Sequence, residues 1–170
     1  MRQLRKAAEE GGIEAQFRLG LRYATGQGVE QDEVEAVKWY RLAATQGDAS
    51  AQFILGERYA AGRGIERDEA EAVKWYRLAA EQGDSSAQFI LGEMYAAGQG
   101  IEQDEAEAVK WYRLAAAQGY ASAQFILGER YAAGRGVGQD EEQAVNWYRL
   151  AAEQGYAPAQ FILGERYAAG

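Results

Sequence analysis

The chain has 170 residues and a formal net charge of −8, from 26 acidic and 18 basic side chains, and it contains no Cys and no His. Without Cys there are no disulfides and no thiolate metal ligands. Without His there are no imidazole metal ligands, and the side chain that enzymes most often use as a general base is absent. The acidic balance argues against nucleic acid as a partner, since phosphate binding needs a basic patch.

One short pattern recurs every 36 residues, beginning at Ala15, Ala51, Ala87, Ala123 and Ala159. A fixed period of roughly 20 to 50 residues predicts a repeat protein, in which each unit must stack on its neighbours to bury its apolar face. We therefore expect a single repeat domain over residues 1–170. It comprises an N-terminal capping helix at 1–12, four full repeats at 13–156 and a terminal helix at 157–170.

Each repeat is predicted to hold two helices, here called helix A and helix B. In the repeat at 49–84, helix A is expected from about Ala49 to Ala61 and helix B from about Glu69 to Gln82. Gly62 follows helix A, where a left-handed residue would end it. Asp68 precedes Glu71 by three residues, which predicts a capping box at the start of helix B.

The apolar positions separate the faces of the two helices. Helix A has a broad buried arc that includes Gly56, and a glycine inside a helix costs about 1 kcal/mol relative to alanine. Its recurrence in every repeat therefore predicts a close approach between helices. Trp75 and its equivalents are expected in the core between repeats; a row of exposed binding residues is the alternative.

These residues carry a family resemblance. Ala-x-x-x-Leu-Gly-x-x-Tyr-x-x-Gly-x-Gly-Ile-x-x-Asp runs from Ala51 to Asp68, and Ala-Val-Lys-Trp-Tyr-Arg-x-Ala-Ala-x-x-Gly runs from Ala72 to Gly83. The pattern resembles the Sel1-like repeat, a relative of the tetratricopeptide repeat with a longer loop between helices. The resemblance implies an all-α fold, a right-handed α/α superhelical solenoid of helix-turn-helix repeats. It also implies a scaffold or adaptor that binds partner proteins along the concave groove lined by helix A.

The outward face of helix A is the predicted binding surface for a protein or peptide. An apolar ladder edged by charges suits an extended peptide or a partner helix. The alternative is that tight curvature packs the isoleucines of this ladder against one another. The predicted concave-face residues are Arg18, Arg22, Ile54, Glu57, Arg58, Ile90, Glu93, Met94, Ile126, Glu129, Arg130, Ile162 and Arg166.

No motif predicts catalysis, and we expect neither an enzyme nor a cofactor or metal site. Gly62-Arg63-Gly64 lacks the third glycine and the preceding strand of a dinucleotide-binding fingerprint. The acidic residues of each Gln-Asp-Glu segment are explained by helix capping. No apolar run approaches the length of a membrane span and no signal peptide is visible. The expectation is a soluble chain, cytoplasmic if expressed as it stands, whose native compartment stays open.

The ends of the chain suggest an alternative role. Helix 1–12 reads as a polar cap, because Gln3 and Lys6 stand where interior B helices carry Trp and Leu. The terminal A helix keeps the interior apolar positions, so its face for a B helix is expected to be bare. This predicts a self-assembling module that forms homodimers through Gln160, Leu163, Gly164 and Tyr167.

The repeats are nearly identical to one another, since residues 49–84 and 85–120 match at 30 of 36 positions. This uniformity favours an engineered or consensus-derived protein. A recently duplicated natural array is the alternative.

Overall fold

The computed structural model describes the backbone of residues 1–169 and the side chains of residues 1–168. All regular structure in this range is helical. The A helices are α2 (Ile13–Thr25), α4 (Ala49–Ala61), α6 (Ser85–Ala97), α8 (Ala121–Ala133) and α10 (Ala157–Ala169), and the B helices are α1 (Arg2–Glu9), α3 (Glu33–Thr45), α5 (Glu69–Glu81), α7 (Glu105–Ala117) and α9 (Glu141–Glu153). The helix bounds predicted for the repeat at 49–84 are confirmed to within one residue. Gly170, the last residue of the predicted terminal helix, lies outside the described residues.

The chain divides into two units, Met1–Asp84 and Ser85–Gly170. In the first unit, core clusters form around Leu19 and Tyr40 and around Leu55. In the second unit, a cluster forms around Tyr112 and Leu127. The single repeat domain over residues 1–170 stays a prediction.

A glycine in the middle of an A helix contacts a tyrosine ring of the B helix that follows it. A Cβ built on Gly56 would lie 2.8 Å from Cδ1 of Tyr76, closer than real Cβ atoms approach other heavy atoms. The same contact joins Gly20 to Tyr40, Gly92 to Tyr112 and Gly128 to Tyr148. Only a glycine leaves room for the ring, so the close approach predicted from sequence is confirmed.

Each of these tyrosines also contacts a phenylalanine of the same A helix. The centroid distance between Phe53 and Tyr76 is 5.7 Å, and the two rings are tilted, an arrangement that aromatic pairs prefer. Equivalent tilted pairs are Phe17 with Tyr40, Phe89 with Tyr112 and Phe125 with Tyr148. The tyrosine ring therefore fills the space between the two helices of a repeat.

Only one of the two hydrogen bonds of the predicted capping box forms at the start of helix B. The Asp68 carboxylate accepts a hydrogen bond from the backbone N–H of Glu71, as predicted. The Glu71 side chain does not return to the cap; it forms an ion pair with Lys74. The reason is that the N–H of Asp68 already donates to the carbonyl of Tyr59, at 3.0 Å, and needs no second partner. This half of the prediction was wrong.

The second glycine of the Gly-x-Gly loop has a packing role that the sequence did not reveal. Gly64 has a φ of +69°, and a Cβ built on it would lie 2.2 Å from the backbone oxygen of Glu33, at the start of α3. Gly136 contacts the backbone of Glu105 in the same way. These two loops therefore rest on the preceding B helix, where no side chain fits.

Buried glutamines connect each A helix to its surroundings. Gln52 is only 4% exposed. Its Nε2 donates to the carbonyl of Ala44 at 3.1 Å, and its Oε1 accepts from Nε2 of Gln82 at 2.7 Å. Nε2 of Gln82 also donates to the carbonyl of Gly47 at 3.0 Å. Equivalent glutamine pairs are Gln16 with Gln46, Gln88 with Gln118 and Gln124 with Gln154.

The contact between Gly56 and Tyr76 predicts a stability cost for the smallest possible side chain. We expect Gly56→Ala to lower the free energy of unfolding by about 1–2 kcal/mol, because the overpacking cost exceeds the gain in helix propensity. Urea denaturation followed by circular dichroism measures the change.

Gly164→Ala is the matched control, since a Cβ at Gly164 meets nothing within 4 Å. This variant should be neutral or slightly more stable. If Gly56→Ala is as stable as the control, the glycine does not set the distance between the helices.

Candidate binding surface

The residues predicted for the binding surface lie on the A helices but differ in exposure. The exposed residues are Arg18, Glu57, Glu93 and Glu129, and the half-buried residues are Arg22, Arg58, Arg130, Arg166, Ile54, Ile90, Ile126 and Ile162. The remaining residue, Met94, is 5% exposed. Arg18 and the exposed glutamates therefore offer the most accessible polar atoms of this set.

Met94 is a correction to the predicted surface, because its side chain is buried. Arg58 and Arg130 occupy the equivalent positions of the neighbouring repeats and keep charged tips that need an acidic partner or water. The unbranched thioether of Met94 has no such tip and packs as an apolar group.

The isoleucine ladder is partly core. Ile54 packs against the cluster around Leu19 and Tyr40, and Ile126 packs against the cluster around Tyr112. Their half-burial agrees with the packed-ladder alternative for part of each side chain. The part that remains exposed is available for an apolar contact with a partner.

Two arginines on this face link consecutive repeats. The Arg58 guanidinium forms an ion pair with the carboxylate of Glu33 in the preceding B helix and lies 5.9 Å from the ring centroid of Tyr40. The Arg130 guanidinium pairs in the same way with Glu105 and lies 5.7 Å from the ring of Tyr112. The side chains of Arg58 and Arg130 are only 13% and 11% exposed, so both stabilise the stack. The sequence signal for these pairs, an Arg 25 residues after a Glu, was missed.

Each unit contains a recess on this face. In the first unit the cavity has a volume of about 370 Å³, and its lining residues are Glu57, Arg58, Ala60, Ala61, Arg63 and Tyr76. In the second unit the cavity has a volume of about 390 Å³, and its lining residues are Ile126, Glu129, Arg130, Ala132, Ala133, Arg135 and Tyr148. The equivalent residues line both cavities, and the contribution of the B-helix tyrosine was not predicted from sequence.

The tyrosine hydroxyls of this surface stay protonated. Burial raises the pKa of Tyr76, and the nearby Glu57 carboxylate raises it further. Burial likewise raises the pKa of Tyr148, with a smaller contribution from Glu129. Burial also raises the pKa of the Glu129 carboxyl, although Arg130 opposes the shift. The two tyrosine hydroxyls therefore remain un-ionised near neutral pH.

The lining groups suit the binding of a peptide. Tyrosine hydroxyls and guanidinium groups donate hydrogen bonds, the glutamates accept them, and small alanines leave room for a partner side chain.

The tryptophans belong to the core, as predicted. Trp39, Trp75 and Trp147 are half-buried and pack against the core clusters of their units. Their indole nitrogens, with that of Trp111, are buried without a hydrogen-bond partner in the described chain. The neighbouring leucines on the B helices, which are Leu42, Leu78, Leu114 and Leu150, are 43–48% exposed.

The residues predicted for self-association lie on α10. Gln160 and Gly164 are exposed, Leu163 is half-buried and Tyr167 is 70% exposed. Nε2 of Gln160 donates to the carbonyl of Ala152 at 3.1 Å, as the interior glutamines do. Pairing through this helix stays a prediction.

The raised tyrosine pKa values predict a loss of stability in alkali. Tyr40, Tyr76, Tyr112 and Tyr148 are shifted upward in the folded chain. Their phenols ionise near pH 10 only after unfolding, so the unfolded state releases protons first and the free energy of unfolding falls above about pH 10. Urea denaturation at about pH 8 and about pH 11 measures this loss, and Tyr76→Phe should reduce it. If absorbance spectroscopy shows that all tyrosines of the folded protein ionise together near pH 10, the prediction is wrong.

None of the described helices combines the length and the apolar content that a membrane crossing requires.

The sequence of the chain matches a known repeat family. The model of the Sel1 repeat matches residues 13–48, 49–84, 85–120 and 121–156. The comparison with curated proteins returned no match.

Solved structures with similar folds include two that share substantial sequence identity. One is c5321, a protective antigen present in uropathogenic Escherichia coli strains, with 43% identity and a TM-score of 0.93 over 96% of this chain and 35% of that one. Another is a Sel1 repeat protein from Oxalobacter formigenes, with 40% identity and a TM-score of 0.82 over 95% of this chain and 64% of that one. Cysteine rich protein B of Helicobacter pylori, at 24% identity and a TM-score of 0.61 over 81% of this chain and 98% of that one, shares the fold.

The chain thus spans about a third of the first of these proteins and just under two thirds of the second. Proteins built from this repeat are generally scaffolds for protein interactions and typically lack catalytic activity. The predicted class, an all-α solenoid of helical repeats, is confirmed by the four matched repeats and these structures. The engineered or consensus-derived origin stays a prediction. With four matched repeats over residues 13–156 and this shared fold, the chain belongs to the Sel1 repeat family.

Proposed function

We propose that this chain is a non-catalytic scaffold that binds a protein or peptide along the outward surface of its A helices. The observation that carries the proposal is the recess found in each unit, with equivalent residues lining both cavities. Each recess therefore offers the same set of contacts to a partner. The general role of the family as a protein-interaction scaffold supports the proposal.

The lining residues indicate how a peptide would bind. Tyr76 and Arg63 would donate hydrogen bonds to peptide carbonyls, and Glu57 would accept one from a peptide N–H. Ala61 leaves space for an apolar side chain of the partner. In the second unit, the exposed part of Ile126 adds an apolar contact.

Filling both recesses tests the proposal. We expect the double variant Ala61→Trp/Ala133→Trp to lose most of its affinity, by about tenfold or more, for peptides selected from a displayed random library on the unmodified chain. Both alanines are exposed, so the variant should fold normally. Titration calorimetry measures the affinities.

The matched control is Ala70→Trp/Ala106→Trp, which places the same two side chains at exposed positions of B helices. It should bind the selected peptides with unchanged affinity. If the filled variant binds as tightly as the control, or if the library yields no binder, the A-helix surface is not the binding site.

The alternative role, a self-assembling module that pairs through α10, stays a prediction that the exposure of Tyr167 favours. If it holds, light scattering across a concentration series will give a dimer that dissociates on dilution. Replacing Leu163 and Tyr167 with polar residues should then yield a monomer at every concentration. Equal masses for the parent and this variant would contradict pairing through α10.

A further inference from the structure

The recess of the second unit contains one carboxylate that has no ion-pair partner in the described chain. This group belongs to Glu129, an exposed residue of α8. Ile126, Ala132 and Ala133 line the same recess, three or four residues away along the helix. Residues at this spacing share one face of a helix. The carboxylate therefore lies beside apolar side chains.

The two arginines of this recess are bound to another carboxylate. The guanidinium of Arg130 pairs with Glu105, and that of Arg135 pairs with the same carboxylate at 2.8 Å. Arg130 also lies 5.7 Å from the ring centroid of Tyr112. Both arginines lower the pKa of Glu129, which shows that they lie near it, but neither forms an ion pair with it among the described contacts.

A further carboxylate lies close to Glu129. Glu93, on the preceding A helix α6, raises the pKa of Glu129 and accepts a hydrogen bond from the hydroxyl of Tyr112. The nearby ion pair of Arg166 with Glu141 adds no net charge. The remaining charged groups are three glutamates and two arginines, namely Glu93, Glu105, Glu129, Arg130 and Arg135. This cluster therefore has one negative charge in excess.

We propose that the recess of the second unit binds one basic side chain, a lysine or an arginine, of the protein or peptide partner. Its cationic group bonds to Glu129, and its aliphatic part packs along Ala132 and Ala133. The inference rests on the proposed function, because it names the chemistry of the partner for the same recess.

A basic side chain suits both parts of this site. An ammonium or guanidinium group gives the carboxylate of Glu129 a charge-assisted hydrogen bond, which is stronger than a neutral one. The long aliphatic part of lysine or arginine covers apolar surface while its charged end stays at the polar group. The net charge of −8 also favours the encounter with a basic partner.

The recess of the first unit is less suited to a cation. Arg63 lines it and has no ion-pair partner among the residues that the structure describes, so a basic side chain would meet a second positive charge. The residue 36 positions before Glu57 is Leu21, whereas Glu93 stands 36 positions before Glu129. The preference for a basic side chain is therefore assigned to the second unit alone.

The probes are peptides selected from a displayed random library on the unmodified chain. Peptides that occupy this recess are recognised by a loss of affinity for Ala133→Trp. We expect each of them to carry a lysine or an arginine that is required for binding. Norleucine at that peptide position keeps an aliphatic chain without the charge, and it should weaken binding about tenfold or more. Titration calorimetry measures the affinities.

A double-mutant cycle tests whether Glu129 is the partner of this basic residue. Glu129→Gln should weaken binding of the unmodified peptide by a similar factor. In this variant the change to norleucine should have little further effect. The control is Glu153→Gln, which removes the same charge at an exposed position of α9 that does not line the recess. It should bind the peptide with unchanged affinity.

Two results would overturn this inference and leave the scaffold proposal standing. One is that the peptides weakened by Ala133→Trp need no basic residue. The other is that Glu129→Gln binds them as tightly as Glu153→Gln does. If Ala133→Trp weakens no library peptide, the recess is not a binding site, and the inference fails together with the proposed function at this recess.

Discussion

The contact between a glycine and a tyrosine ring sets the distance between the two helices of a repeat, and the rest of the packing depends on it. A Cβ on Gly56 would lie within 3.0 Å of three ring atoms of Tyr76. The same ring meets Phe53, and the leucine next to the glycine, Leu55, is completely buried. A glycine interior to a helix is unfavourable by itself. Its presence shows that packing between helices decides the stability of this fold.

Polar contacts between repeats then restrict how one repeat stacks on the next. Both polar atoms of the buried Gln52 amide have partners, since its Nε2 donates to the carbonyl of Ala44 and its Oε1 accepts from Gln82. A buried amide without partners would be costly, so these bonds favour one arrangement of neighbouring helices over others. The ion pair of Arg58 with Glu33 adds a second fixed point at the other end of the A helix. Each A helix of this kind is therefore held at both ends.

Sequence patterns predicted the parts of the fold that depend on local or periodic signals. The helix bounds, the interior glycine and the packing of the half-buried Trp39 all follow from spacing and from the apolar faces. The return bond of Glu71 was wrong because the backbone of Tyr59, nine residues before the cap, already satisfied the amide. The pairing of Arg58 depends on a helix in another repeat. A helical wheel holds no information on such contacts, so the predicted surface contained structural residues.

The structural roles of these residues limit where partner specificity can reside. The guanidinium of Arg58 is already engaged by Glu33 and lies over Tyr40, so a partner gains little from its charge. The loop position after the first glycine is different, because it varies within the chain, from Gln27 to Arg63 to Gln99 to Arg135. Two of these residues, Arg63 and Arg135, line the recesses, and Arg135 keeps 61% of its side chain exposed while it pairs with Glu105. Both recesses carry arginine at this position, whereas the equivalent position of the other two repeats is glutamine, so the charge at this point of the A-helix surface varies along the chain. Selectivity among partners is therefore expected to follow this loop position more closely than the isoleucine ladder, which the core already holds in place.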